Sequence, residues 1–128
     1  NGTRNQVDVQ WVHGRVQDVL HEGPFDALVS NPPYIPTDTL STLMPEVRDY
    51  EPHLALDGGP DGLVIFREIL SLAHELVRPG GWIGFEVEGE RQAGEVKSLL
   101  LQADAWEAPQ IRRDYSGLQR VVSARRTG

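Results

Sequence analysis

The sequence contains no cysteine, and none of its apolar runs approaches the roughly 18 residues that a membrane-spanning helix needs. The lack of thiols excludes disulfides and thiolate metal sites. The sequence also shows no signal-peptide pattern. We therefore expect a cytoplasmic protein that does not bind a membrane.

Cations are scarce as well. The 128 residues include 12 Lys and Arg against 19 Asp and Glu, which gives a formal net charge of −7. Between residues 31 and 63 the only cationic side chain is Arg48. Domains that bind nucleic acid usually present a basic surface to the phosphates. The charge balance therefore predicts that nucleic acid is not the partner.

The hydrophobic pattern predicts strands that alternate with amphipathic helices, which indicates an α/β fold with a mostly parallel sheet. The run Ala27-Leu28-Val29 suits a strand that is buried on both faces. We expect Pro79-Gly80-Gly81 to form the turn between the first helix and the next strand. The predicted strands are residues 7–12, 25–30, 82–87, 108–112 and 120–124, and the predicted helices are 61–78, with Asp61 as N-cap, and 92–103.

The most informative stretch is Asn31-Pro32-Pro33-Tyr34, which follows the strand at 25–30. Ligands of open α/β sheets bind outside the carboxyl ends of the strands. The two prolines stiffen the backbone and remove donors. The Asn31 side-chain oxygen and the Pro32 carbonyl are then free to accept both N–H hydrogens of a planar amide or amine, and Tyr34 offers a flat face for stacking. A plain Pro-Pro turn capped by Asn31 is the structural alternative.

The strand and the Asn-Pro-Pro-Tyr stretch together resemble the catalytic motif of methyltransferases that act on amino groups in DNA, RNA and protein. Other matches favour the HemK/PrmC family of protein glutamine methyltransferases. They are Ile35-Pro36, Glu46-Val47, Tyr50-Glu51-Pro52, Ala55-Leu56, Gly59-Pro60-Asp61-Gly62-Leu63, residues 76–81 with Glu86, and Asp114-Tyr115-Ser116-Gly117 with Arg120-Val121.

The resemblance implies a class I, Rossmann-like fold, S-adenosylmethionine as cofactor, and the glutamine of the Gly-Gly-Gln motif in peptide chain release factors as substrate. Residues 1–128 would be the C-terminal portion of the catalytic domain. By carry-over, Asn31, Pro32 and Tyr34 are catalytic, and Pro33 adds to substrate binding. Glu46, Tyr50 and Glu51 would shape the substrate cleft, although solvated loop positions explain them equally well.

The match fails at the cofactor site. The family's glycine-rich turn and the first two strands of its sheet are absent from the sequence, so the predicted strand at 7–12 lacks its usual neighbours. Arg15 stands where the family usually carries an aspartate, so the acceptor for the adenine amino group is missing unless Asp18 or Gln17 replaces it. We assign Asn31, Arg15 and Val16 to cofactor binding. The chain alone is therefore expected to be inactive. Glu86 is expected to orient backbone, and Asp114 and Arg120 to form a structural pair.

Two other functions remain open at this point. A nucleic-acid amino methyltransferase of the adenine-N6 type would use the same Asn31 loop, but the acidic charge counts against it. A non-catalytic binding module would keep the fold without the cofactor, and the missing glycine-rich turn favours that interpretation for the chain alone. A glycine-rich turn upstream of Asn1 would identify the parent protein as an enzyme.

Overall fold

The computed structural model of the chain describes residues 8–32 and 61–128. These residues form a four-stranded sheet with two α-helices packed on one face, preceded by a 3₁₀ helix at Val16–Glu22. Within the described ranges, no helix is long and apolar enough to cross a membrane. The α/β class predicted from the alternation of strands and helices is confirmed.

Strand β1 (Phe25–Ser30) has the bounds that the sequence predicted. It lies at one edge of the described sheet, with a strand neighbour on one side only. Its face that points away from the helices is open in the described part of the chain, where Val29 is 83% exposed and Ala27 is exposed as well. The prediction that this strand is buried on both faces is wrong for the described part of the chain, because nothing in that part covers its second face.

Helix α1 (Val64–Leu76) buries one apolar face and has Leu63, not Asp61, as its N-cap. The Asp61 carboxylate still serves the helix start, because its Oδ1 accepts the Leu63 backbone N–H at 3.0 Å. The helix ends two residues before the predicted Arg78, since Val77 is already extended. Its buried side chains follow the predicted three- and four-residue spacing, and they are Phe66, Ile69, Ala73 and Leu76.

Strand β2 (Val77–Glu86) runs parallel to β1 and contains a bulge. Phe25 pairs with Val77, whereas Ala27 pairs with Trp82, so residues 78–81 of β2 lie opposite Asp26 alone. Within that stretch Gly80 has φ +81°, a left-handed conformation that glycine adopts without strain. The turn predicted at Pro79-Gly80-Gly81 therefore lies inside a strand, not between a helix and a strand.

Helix α2 (Glu90–Gln102) and a hairpin of β3 (Gln110–Arg113) and β4 (Gln119–Arg125) complete the fold. The strand order is β1-β2-β4-β3, in which β1 and β2 pair in parallel and β4 pairs antiparallel with both β2 and β3. Three of the four described strands therefore run in the same direction, which agrees with the predicted mostly parallel sheet. Strand β4 is the reversed one, because a short hairpin turn joins it to β3 and such turns join antiparallel strands.

The core lies between the sheet and the two helices. The Phe66 ring of α1 meets the Phe85 ring of β2 edge-on, with centroids 5.3 Å apart and an interplanar angle of 64°. Aromatic pairs favour this geometry over face-to-face contact. Val96 of α2 and Val122 of β4 are fully buried in the same cluster. Both helices therefore cover the same face of the sheet.

The strand predicted at residues 7–12 is not formed by its described part. Residues 8–13 have no regular structure, and Trp11 is 80% exposed. An extended segment becomes a strand only where a neighbour pairs with its backbone N–H and C=O groups. No described strand pairs with this segment, and the free edge of β1 has no strand partner within the described residues.

Candidate active site

Asn31 directly follows the last residue of β1 and is exposed, while Pro32 behind it is buried. The preceding residue, Ser30, pairs with Phe85 in the middle of the sheet. The parallel ladder therefore fixes the point at which the chain leaves β1. Asn31 lies at the carboxyl edge of the sheet, as predicted, with its side chain available to a ligand.

A shallow hollow of about 340 Å³ opens beside Asn31. Most of its lining is apolar, and the polar contributions come from Ser30, Asn31 and Glu86. An apolar hollow with a few polar groups is the usual composition of a small-ligand site. The lining residues are Val29, Ser30, Asn31, Gly84, Phe85, Glu86 and Val121.

Register explains why residues that are distant in sequence share this hollow. Val29 pairs with Gly84, and Glu86 pairs with Val121 on the next strand. Sequence reasoning missed Gly84 and Val121 as site residues, because neither has a chemical signature. Glu86 was predicted only to orient neighbouring backbone, yet it lines the hollow beside Asn31.

A set of hydrogen bonds, which we call the clamp, joins the turn between β3 and β4 to the end of β2 next to the hollow. Arg120 Nε donates to Asp114 Oδ2 at 3.1 Å, which confirms the predicted structural pair. The same guanidinium reaches the carbonyl oxygens of Val87 and Glu88 through Nη1, at 3.4 and 2.8 Å. The Val87 N–H donates in turn to the Arg120 carbonyl at 2.8 Å. These bonds hold the residues that follow Glu86.

Asp114 also organises the turn itself. Its Oδ1 accepts the backbone N–H groups of Leu118 at 3.0 Å and of Ser116 at 2.9 Å. The Leu118 N–H, together with the Arg120 guanidinium and the Ser116 N–H, holds the pKa of the Asp114 carboxyl below its ordinary value. Hydrogen bonds that favour the charged form have this effect. These hydrogen bonds therefore stabilise the charged form of the Asp114 carboxylate.

The residues assigned to the cofactor lie in different places. Arg15 is exposed and its guanidinium stands 3.5 Å from the Glu68 carboxylate of α1. Val16 begins the 3₁₀ helix and packs partly buried against the core. The structure does not bring either residue into the hollow with Asn31. Their role in cofactor binding stays a prediction.

The remaining predicted site residues lie outside the described ranges. They are Pro33, Tyr34, Glu46, Tyr50 and Glu51. Within residues 8–32 and 61–128, no group of three His, Cys, Asp or Glu side chains is placed to hold a metal ion. The lining of the hollow combines the Asn31 amide side chain with a mostly apolar surface.

No family model matches the chain. Among curated proteins it is similar to a release factor glutamine methyltransferase of Geobacter sulfurreducens, with 42% identity over 128 residues that cover 98% of this chain and 43% of that protein. A second, of Moorella thermoacetica, is 48% identical over 101 residues, which cover 79% of this chain and 35% of that protein. The chain thus spans less than half the length of these relatives.

Two solved structures show a similar fold. A methyltransferase from Pyrococcus furiosus matches 100% of this chain and 55% of its own, with a TM-score of 0.66 and 18% identity. A protein-(glutamine-N5) methyltransferase (release factor-specific) from Alicyclobacillus acidocaldarius covers 87% of this chain and 55% of its own, with a TM-score of 0.53 and 23% identity. The predicted class I methyltransferase fold is confirmed, and by its sequence the chain belongs to the release factor glutamine methyltransferase family.

Proposed function

We propose that this chain supplies the substrate side of an S-adenosylmethionine-dependent methyltransferase that acts on the glutamine of the Gly-Gly-Gln motif in peptide chain release factors. Residues 1–128 would be the C-terminal portion of its catalytic domain. The position of Asn31 is the main support, because its exposed amide borders an apolar hollow at the carboxyl edge of the sheet. The names of the similar proteins support the choice of substrate.

The proposed roles follow from the chemistry of a glutamine amide. This group is planar and uncharged, so it enters an apolar hollow at low desolvation cost. The Asn31 side-chain oxygen and the Pro32 carbonyl accept its two N–H hydrogens and turn the nitrogen lone pair outward. The methyl group would come from bound S-adenosylmethionine, whose carbon–sulfur bond would break as the carbon–nitrogen bond forms, with one amide proton passing to water. Orientation of this kind is an effective way to lower the barrier of an in-line displacement.

The charge of the chain supports a protein substrate over nucleic acid. With 12 cationic against 19 anionic side chains, the chain offers no broad surface for phosphates. The polar side chains that line the hollow are Ser30, Asn31 and Glu86, none of which is cationic. A cytoplasmic location belongs to the same proposal and is compatible with the absence of cysteine.

The test offers the full-length protein a radiolabelled methyl donor and three acceptors. They are a release factor with an intact Gly-Gly-Gln loop, the same factor with that glutamine changed to alanine, and duplex DNA. We expect label in the first acceptor only, and none when residues 1–128 are assayed alone. Label in DNA would support a nucleic-acid enzyme, equal label in both release factors would exclude the glutamine, and no label with any acceptor would support a binding module.

A further inference from the structure

Glu86 and Asn31 are neighbours where the ladder between β1 and β2 ends. The last pair of that ladder is Ser30 with Phe85, so the next residues along the two parallel strands are Asn31 and Glu86. Neighbouring strands lie about 4.7–4.9 Å apart. Both residues line the hollow of about 340 Å³ at the carboxyl edge. A carboxylate therefore stands next to the amide on which the proposed reaction depends.

The two side chains also share one face of the sheet. Val29 pairs with Gly84 on the open face, and side chains alternate between the two faces along a strand. Asn31 follows Val29 by two residues, and Glu86 follows Gly84 by two residues. On its other side Glu86 pairs with Val121, which lines the same hollow. Alternation thus brings the Asn31 amide and the Glu86 carboxylate to the same side.

The backbone that carries Glu86 is fixed from two sides. Glu86 pairs with Val121 on β4, and the Val87 N–H that follows donates to the Arg120 carbonyl at 2.8 Å. The Arg120 guanidinium also holds the Val87 and Glu88 carbonyls at 3.4 and 2.8 Å. The Glu86 side chain itself is half-buried and forms no hydrogen bond to another described residue. Its position is set by the fold, while its carboxylate stays available to a group that approaches in the hollow.

The Asn31 amide serves a substrate in only one of its two orientations. Its oxygen accepts hydrogen bonds and its NH2 group only donates them, and a half-turn about the last side-chain bond exchanges the two. The glutamine amide of the proposed substrate offers N–H donors, so the Asn31 oxygen has to face it. The NH2 group then needs an acceptor once the substrate displaces water. A carboxylate meets this need and disfavours the reverse orientation, in which two oxygen atoms would approach each other.

We propose that Glu86 is a positioning residue for methyl transfer: its carboxylate accepts a hydrogen bond from the Asn31 NH2 group when substrate is bound, and so turns the Asn31 oxygen toward the glutamine amide. This inference rests on the proposed function. The polar side chains that line the hollow belong to Ser30, Asn31 and Glu86. Alternation starts the Ser30 side chain from the opposite face. Among the described residues, Glu86 is therefore the acceptor placed for the Asn31 NH2 group.

The test is a double-mutant cycle in the full-length protein, with methyl transfer to a release factor as the assay. Glu86→Ala removes the acceptor, whereas Glu86→Gln keeps a carbonyl acceptor without the charge. Asn31→Ala and the double variant Asn31→Ala/Glu86→Ala complete the cycle, which measures whether two residues act through one interaction. The matched control, Glu107→Ala, makes the same change at an exposed position between α2 and β3.

We expect Glu86→Ala to lower kcat about ten- to a hundredfold, the range for one hydrogen bond to a charged group. Glu86→Gln should lie between this variant and wild type, because a glutamine offers an acceptor but can also present its NH2 group. In the Asn31→Ala background, Glu86→Ala should change kcat by less than about twofold. The KM for S-adenosylmethionine and the melting temperature should stay near those of the control.

Three results would overturn the positioning role. An unchanged kcat of Glu86→Ala would remove Glu86 from the reaction and leave the proposed function intact. Equal losses of kcat with and without Asn31 would show that Glu86 acts independently of Asn31, as a direct contact to the substrate would. A melting temperature that falls together with kcat would indicate a purely structural role. If the wild-type protein itself fails to methylate the release factor, the proposed function falls and this role with it.

Discussion

Gly81 lies where β2 bulges against β1, and its replacement with alanine is expected to destabilise the sheet. An added Cβ would stand 2.6 Å from the Asp26 carbonyl oxygen, 2.7 Å from Val77 Cγ1 and 2.9 Å from the Arg78 carbonyl oxygen. Two of these three atoms belong to the backbone. They cannot yield by a change of rotamer, so a strand must move.

The expected magnitude follows from two opposing effects. Overpacking of a tight site typically costs about 1–3 kcal/mol, and contacts with backbone place Gly81→Ala near the upper end. Removing a glycine from the unfolded chain recovers about 0.4–1 kcal/mol. The net loss in the free energy of unfolding should therefore be about 2 kcal/mol. Because β1 carries Asn31 at its other end, methyl transfer should fall as well.

Urea unfolding of the full-length protein, followed by tryptophan fluorescence, measures this change. Gly94→Ala is the matched control, because its Cβ would meet nothing within 4 Å and it lies inside α2. Alanine there should raise the free energy of unfolding by about 0.5–1 kcal/mol. If both variants were equally stabilised, the close approach of β1 and β2 at Gly81 would be refuted.

Three further predictions concern the core, the clamp and the site. Phe66→Ala removes a fully buried ring and should lower the free energy of unfolding by about 3–5 kcal/mol in a urea titration. Val64→Ala, on the exposed side of α1, should change it by less than about 1 kcal/mol. Equal effects of the two variants would contradict the assigned core. The folded pKa of Asp114 lies below the ordinary value of 3.8, so its contribution to stability is present above that value and is lost as the pH falls through the folded pKa. The stability difference between wild type and Asp114→Asn, measured by thermal unfolding, should therefore shrink from pH 7 to pH 3, and a constant difference would contradict the Arg120 pair. Asn31→Ala should remove about 2–4 kcal/mol of transition-state stabilisation, by analogy with donors that stabilise oxyanions, and so lower kcat far more than it lowers cofactor affinity. An unchanged kcat in a methyl-transfer assay would remove Asn31 from catalysis.

The elements that the sequence predicted well are those whose signal is local. Helix α1 shows apolar residues at helical spacing, and its buried side chains lie on that apolar face. Strand β1 is a short apolar run with turn residues on both sides, and its bounds were predicted exactly as Phe25–Ser30. Helix α2 and the hairpin of β3 and β4 were predicted to within two residues at each end. Periodicity, caps and turn residues suffice for such elements.

The wrong predictions depend on neighbours rather than on local pattern. The alternation of Val9 and Trp11 is typical of a strand, but a strand also needs a partner for its backbone. The apolar run in β1 predicted burial on two faces, while Val29 is largely exposed in the described sheet. A hydrophobic pattern indicates which environment a residue favours, but it does not show which other residues pack against it.

The candidate site was predictable in part for the same reason. Asn31 carries its own chemistry and follows an evident strand, so sequence alone placed it at the carboxyl edge. Gly84 and Val121 belong to the hollow only because β2 pairs with β1 on one side and β4 on the other. Pairings between strands that are distant in sequence leave no mark in a single sequence.

The bulge in β2 connects the local sequence of one strand with the composition of the site, because it decides which residues of β2 lie beside Asn31. If β2 continued regularly from the pair Phe25 and Val77, Ser30 would lie opposite Trp82 instead of Phe85. The three extra residues are an odd number, and an odd shift in register moves side chains to the opposite face of a neighbouring strand. With the bulge, Val29 and Gly84 share the open face, while Phe85 points to the helices and meets Phe66. The hollow beside Asn31 therefore depends on a glycine-rich bulge at the opposite end of the strand.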